Sequence, residues 1–232
     1  MKKVLDVVMA VLLLAGVVYV SFFRLKQTAV VEVQGDAVVA QLPVIVIDPG
    51  HGGYDPGKVS ADNTCEKDIN LAIAIQLAKK LEEAGYKVVL TRSEDISLAG
   101  ENAVNRKAED MKKRCEIIEN VSADIVVSIH QNSFSDPDVR GGQVCYFKHS
   151  DKGCILATGI QQAFKEIVDT SNTREAKSDN NYYMLLHTPC PTVIVECGFL
   201  SNPEEAALLA GEEYRAKICQ AIKKGIDTYF ER

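Results

Sequence analysis

Four side chains in this sequence have the types and settings that water-activating chemistry needs. His51 follows the apolar run Val44–Ile47 through Asp-Pro-Gly, and His130 closes a second apolar run in the stretch Ser-Ile-His-Gln-Asn. Glu196 comes directly after Thr192–Val195, and Glu66 opens a stretch of helical periodicity. Two imidazoles and one carboxylate make a tetrahedral zinc site whose fourth position stays open to water. A second carboxylate beside that water is the general base of a metal-dependent hydrolase. Each residue also has a plainer reading. A lone histidine at a strand end commonly serves as a structural hydrogen-bonding group, and Glu66 suits the helix dipole as a first-turn acid. Glu196 is harder to explain away, because a carboxylate after a buried strand costs free energy unless it meets a charge or a metal. His149 and His187 fall in apparent loops and are assigned to the surface or a substrate rim.

The elements that must position these groups read as an alternation of strand and helix. Val44–Ile47 forms a buried strand that the Asp-Pro-Gly-His-Gly-Gly run cannot extend, since proline and glycine break the ladder. Further strands are expected at Tyr86–Leu90, Asp124–Ile129, Gly142–Phe147, Tyr182–Leu186 and Thr192–Val195. Ile69, Ile73, Leu77 and Leu81 keep helical spacing after Glu66, and Gly85 ends that helix. Other helices are expected at 101–119, 151–168, from Pro203, and at 211–230 with Ile218, Ile222 and Ile226 on one face. This order implies a single α/β domain with a mostly parallel sheet covered by helices on both faces. In such a sheet the carboxyl ends of the strands share one crevice, so His51, His130, Glu196 and Glu66 can converge.

Val7 to Phe23 carries no charge and is flanked by Lys2, Lys3, Arg24 and Lys26. Its length lies at the lower edge of a spanning helix, about 17–25 residues. Residues 1–26 are therefore read as an uncleaved signal anchor, with a cleaved signal peptide as the alternative, and 27–43 as a stalk or linker. Either reading takes the domain at 44–232 across a membrane, to an extracytoplasmic place. A formal charge of −6 and a pI of about 5.3, with no basic run, exclude nucleic acid as the main partner. The seven cysteines include no C-x-x-C; Cys115, Cys145, Cys197 and Cys219 fall on element patterns and read as small core residues. A cysteine hydrolase built on Cys65 or Cys197 is a rival reading, but it leaves the strand-end histidines and glutamates without a task. A non-catalytic wall-binding protein is the other rival.

The motifs Asp48-Pro-Gly-His-Gly-Gly, Glu66-Lys-Asp-Ile-Asn-Leu-Ala, Leu90-Thr-Arg, Ser128-Ile-His-Gln-Asn and Val195-Glu-Cys-Gly-Phe-Leu-Ser-Asn span the chain from Val44 onward. In this order they resemble the zinc-dependent N-acetylmuramoyl-L-alanine amidases of the bacterial amidase-3 family. The resemblance implies His51, Glu66 and His130 as ligands of one zinc ion, Glu196 as the catalytic glutamate, and a roughly six-stranded α/β fold. Family members often carry alanine where Gln131 stands here. The N-terminal apolar segment, the run Arg174-Glu-Ala-Lys and Tyr182-Tyr183 resemble the germination-specific, spore-cortex branch of that family. That branch removes stem peptides on the way to muramic δ-lactam; general wall remodelling or cell separation is the alternative within the family. The resemblance implies peptidoglycan as substrate, the membrane reached through the N-terminal segment, and an accessory protein as a candidate partner. Asn132 and Arg174 are expected as substrate contacts. The stretch from Phe147 to Tyr182 leaves room for one ordinary helix and none for an autoinhibitory plug.

Overall fold

The computed structural model of the chain describes residues 42–231. The anchor expected at 1–26, and all but the last two residues of the stalk expected at 27–43, lie outside the described residues. The six strands are β1 (Val44–Pro49), β2 (Lys87–Leu90), β3 (Ile125–Asn132), β4 (Gln143–Phe147), β5 (Lys177–Asp179) and β6 (Thr192–Phe199). The helices are α1 (Glu66–Glu83), α2 (Arg106–Asn120), α3 (Asp151–Ala163), α4 (Tyr183–His187), α5 (Pro203–Ala210) and α6 (Glu212–Tyr229). One sheet holds all six strands in the order β2-β1-β3-β6-β4-β5. Every neighbouring pair is parallel except β4 and β6. The mostly parallel, six-stranded α/β sheet expected from the sequence is therefore present.

Strand alternation divides the core. Ile45, Ile47, Ile125, Val127, Ile129, Val193 and Val195 face α1, α3 and α6, where Ile73, Leu77, Leu156, Ile160, Ile218 and Ile222 complete a large buried cluster. The residues between them, Val46, Val126 and Ile194, face α2 and α4 and meet Ile118, Met184 and Leu185 in a smaller one. Burying each such Leu or Ile contributes roughly 1.5–3 kcal/mol. β1 pairs with β2 on one side and β3 on the other, so the order reverses at β1 and a crevice opens beyond its carboxyl end.

Several boundaries differ from expectation for local reasons. The strand expected at Tyr182–Leu186 is instead α4, and the edge strand β5 lies upstream at Lys177–Asp179. A short apolar run has no period of its own, and here Met184 and Leu185 are buried while Tyr183 and Leu186 are exposed. The helix expected from 101 starts at Arg106, because the Asn105 side chain accepts the Ala108 N–H at 3.0 Å. The helix expected at 151–168 is α-helical to Ala163 and finishes in a wider π-helical turn, Phe164–Val168. β6 runs past Glu196 to Phe199, so that glutamate sits within the strand. Between β4 and β5 there is one helix with its terminal turn and no plug. Among the described residues no helix is long and apolar enough to cross a membrane.

Candidate metal centre

The site begins with a turn that is hard to make. His51 has φ 62°, in the left-handed region, and Gly52 and Gly53 follow with φ 136° and 57°. Holding a non-glycine residue there costs on the order of 1–3 kcal/mol and requires support from outside. Two buried arginines supply it. Arg92 donates from Nε to the Pro49 carbonyl and from Nη2 to the Gly50 carbonyl, both at 3.0 Å. Arg114 donates from Nη1 to the Pro49 carbonyl at 2.8 Å and from Nη2 to the His51 carbonyl at 2.7 Å. Arg114 is itself held by Asp48 at 2.7 Å and Asp110 at 2.6 Å. Burial opposes charge on Asp48, but Arg114 and hydrogen bonds from Thr91 and Ser128 hold its carboxyl below the usual range.

Glu66, at the head of α1, is the hub. Its Oε2 lies 3.2 Å from His51 Nε2, and its Oε1 lies 3.0 Å from His130 Nδ1. Backbone N–H groups of Lys58 and Gln131 donate to the same carboxylate at 2.8 and 3.0 Å, and Asn70 Nδ2 adds a longer bond at 3.3 Å. On the far side of His51, Nδ1 faces Asp55 Oδ2 at 2.9 Å. Such an outer carboxylate fixes the imidazole tautomer and turns the other nitrogen inward. Burial works against charge on both partners, yet the imidazole contacts hold Glu66 far below its ordinary value and the carboxylates raise His51. The cluster thus favours positive charge between Glu66 and the rings, which a cation also supplies.

One ligand atom from each of His51, Glu66 and His130 lies within 4.8 Å of the others. The backbone is shaped to this cluster. A Cβ added at Gly50 would overlap the His130 ring, and one at Gly57, with φ 68°, would stand 2.5 Å from Glu66 Oε2 and 2.7 Å from His51 Cδ2. Donor types, spacing and cradle all fit a metal ion of the kind that takes two nitrogens and a carboxylate oxygen.

Glu196 pairs in register with His130 across β6 and β3, and β3 shifts register just beyond. It is 6 % exposed. Its Oε1 accepts the Tyr182 hydroxyl at 2.8 Å, while Oε2 is buried without a partner among the described residues. Burial lifts this carboxyl above its usual range, and His130 and Tyr182 pull it partly back. A cavity of about 280 Å³ opens beside the centre, lined by His51, His130, Tyr182, Tyr54, Met111 and Ile194 among others.

The structure thus brings His51, Glu66 and His130 together and aligns Glu196 beside His130. Neither Asn132 nor Arg174 lines that cavity. The Asn132 side chain accepts the N–H of the adjacent Ser133 at 2.8 Å. Arg174 donates to the Arg140 carbonyl at 2.9 Å and lies over the Phe199 ring, away from the cavity. His149 is exposed in a turn after β4, and His187 closes α4, stacked on Tyr183 at 3.8 Å. Cys197 is fully buried on the opposite face, and burial pushes its thiol well above the ordinary range, which removes it as a nucleophile. All seven cysteines are free. Gln131 donates to Asn70 Oδ1 at 3.1 Å behind the ligands. The sequence reading missed Asp48, Asp55, Arg92, Arg114 and Tyr182 as parts of the site. Asp48 carried the same signal as Glu196, a carboxylate closing a buried strand. Arg114 offered only its i,i+4 spacing to Asp110.

An open α/β sheet with this cluster at its mouth and a buried glutamate alongside defines an α/β-fold enzyme with a candidate metal centre. The chain belongs to the Amidase_3 family, N-acetylmuramoyl-L-alanine amidase, which matches residues 45–228. It is 36% identical over 190 residues to the germination-specific N-acetylmuramoyl-L-alanine amidase of Bacillus subtilis, covering 81% of this chain and 79% of that protein. The CwlD amidase of Clostridioides difficile, solved in complex with the GerS lipoprotein, superposes with a TM-score of 0.79 at 42% identity, over 82% of this chain and 98% of that one. AmiC2 of Nostoc punctiforme, also an N-acetylmuramoyl-L-alanine amidase, gives a TM-score of 0.71 at 34% identity, over 82% and 98%.

Proposed function

We propose that this amidase hydrolyses the amide between the lactyl group of N-acetylmuramic acid and L-alanine in peptidoglycan, with one zinc ion held by His51, Glu66 and His130. The observation that carries the reading is the convergence of those three groups next to a glutamate with one buried oxygen that has no partner among the described residues. Zinc bound there would supply a Lewis acid that makes water more acidic and polarises the scissile carbonyl. Asp55 orients His51, and Arg114 with Arg92 keeps its turn in place. Glu196 takes a proton from the attacking water as the water oxygen bonds to the carbonyl carbon. The same carboxyl then gives that proton to the leaving nitrogen as the carbon–nitrogen bond breaks, which frees the stem peptide.

Cell-wall relatives support an extracytoplasmic place of action, with the N-terminal segment, 1–26, as anchor or signal and 27–43 as stalk. Similarity to a germination-specific amidase supports a role in the spore cortex, on the way to muramic δ-lactam. Similarity to an amidase solved with a lipoprotein supports an accessory protein as partner.

The test incubates the zinc-loaded protein and its Glu196→Gln variant with purified peptidoglycan, reading released L-alanine peptides and bound metal. Release by the wild type alone, with zinc in both, supports the assignment. Equal release from both, insensitive to a chelator, would sink it. For the cortex role, spores lacking the protein should lack muramic δ-lactam; spores with unchanged lactam would exclude it.

A further inference from the structure

Glu196 has two chemically equivalent oxygens, and rotation about its last side-chain bond would exchange them. The structure distinguishes them. Oε1 accepts the Tyr182 hydroxyl at 2.8 Å, and Oε2 is buried with no partner among the described residues. A hydrogen bond from a neutral hydroxyl to a carboxylate is charge-assisted and directional, so it fixes the plane of the carboxylate as well as its position. Leaving the second oxygen bare in a buried place costs free energy that folding alone gives no reason to retain.

Tyr182 is well placed to impose this order. It precedes α4, whose Met184 and Leu185 are buried in the smaller core cluster, and its own ring packs against that cluster. The turn leading to it is fixed as well, with the Asn181 N–H donating to Asp179 Oδ1 at 2.7 Å. Its ring forms part of the wall of the cavity that His51 and His130 also line. The hydroxyl therefore reaches Glu196 from a segment tied to the smaller core cluster at the edge of the site.

We infer that Tyr182 is a positioning residue that holds Glu196 through Oε1 and leaves Oε2 as the oxygen that takes and returns the proton. This rests on the reading of Glu196 as the base. The arrangement also gives α4 a task. A five-residue helix with two buried side chains is a weak element taken alone, yet it sets the aim of the reactive carboxylate.

Tyr182→Phe removes one oxygen and keeps the ring that packs on the core. In the zinc-loaded protein, acting on a soluble N-acetylmuramoyl peptide, kcat should fall on the order of tenfold to a hundredfold. KM and zinc content should stay at wild-type values, a split that a merely structural role would not produce. In a Glu196→Gln background the same substitution should cause no further loss, because it acts through the carboxylate. Three results would each overturn the inference: wild-type kcat in Tyr182→Phe, a raised KM at constant kcat, or losses that add fully in the double variant. Glu196→Gln measured alongside separates the two levels. An inactive Glu196→Gln with a fully active Tyr182→Phe sinks the positioning role alone, whereas an active Glu196→Gln sinks the base itself.

Discussion

The two faces of the sheet are built on different principles. Toward α1, α3 and α6 the strands present an unbroken apolar surface, and the helices answer with Leu, Ile and Ala. Toward α2 and α4 the apolar cluster is small, and the remaining space holds a buried ion network, Asp48–Arg114–Asp110, and the Glu196–Tyr182 pair. The difference teaches where the chemistry can be. The apolar face anchors the sheet, and among its helices it is the head of α1, with Glu66, that reaches the metal-facing cluster. The polar face gives up hydrophobic stabilisation, and its charges are tolerated because nearly every one is paired.

The comparison can be broken most severely at Arg114. Arg114→Leu strips the partner from buried Asp48 and releases the His51 carbonyl, and should destabilise by roughly 3–5 kcal/mol in denaturant melts while abolishing zinc uptake. A milder loss than that would show that the ion network is dispensable for the fold. On the apolar face, Leu77→Ala should cost roughly 2–5 kcal/mol through the cavity left behind, with zinc affinity unchanged. A drop in affinity there would mean the two faces are not separable.

Asp55→Asn sharpens the comparison further, since Asn keeps the Oδ1 acceptor used by the Gly57 N–H but can present a donor to His51 Nδ1. Zinc affinity should fall about 10–100-fold, by competition with a chromogenic chelator, with little change in melting temperature. The smallest effect is in the acid limb of stability. Asp48 has a folded pKa below its ordinary value of 3.8, so its contribution is complete above that pH and is lost as pH falls toward the folded value. Asp48→Asn should therefore flatten the rise of stability with pH in that window. An unchanged slope would show that Asp48 takes no part in it.

The three strands were legible because a run such as Val-Ile-Val-Ile states its own burial, although β3 and β6 run on past His130 and Glu196 to Asn132 and Phe199. Glu66 was legible by position on its helix. Arg92 and Arg114 as clamps were not, since their partners lie 42 to 66 residues away and no local pattern marks such pairs. Tyr182 was lost with its segment, where five apolar residues fit a strand as well as a turn of helix. Asn132 and Arg174 were expected from position near the ligands and from the resemblance, and their side chains bond to the backbone of Ser133 and Arg140.

The position of β6 has a consequence for how the molecule becomes active. The groups suited to hold metal all lie within residues 51–130, on elements that β1 and β3 bring side by side. Glu196 arrives on the last strand in the chain, which must enter between β3 and β4. A chain ending before Thr192 would possess every metal-facing side chain and still lack the middle of its sheet. Completion of the sheet and the placing of Glu196 beside the metal-facing cluster thus depend on the same strand.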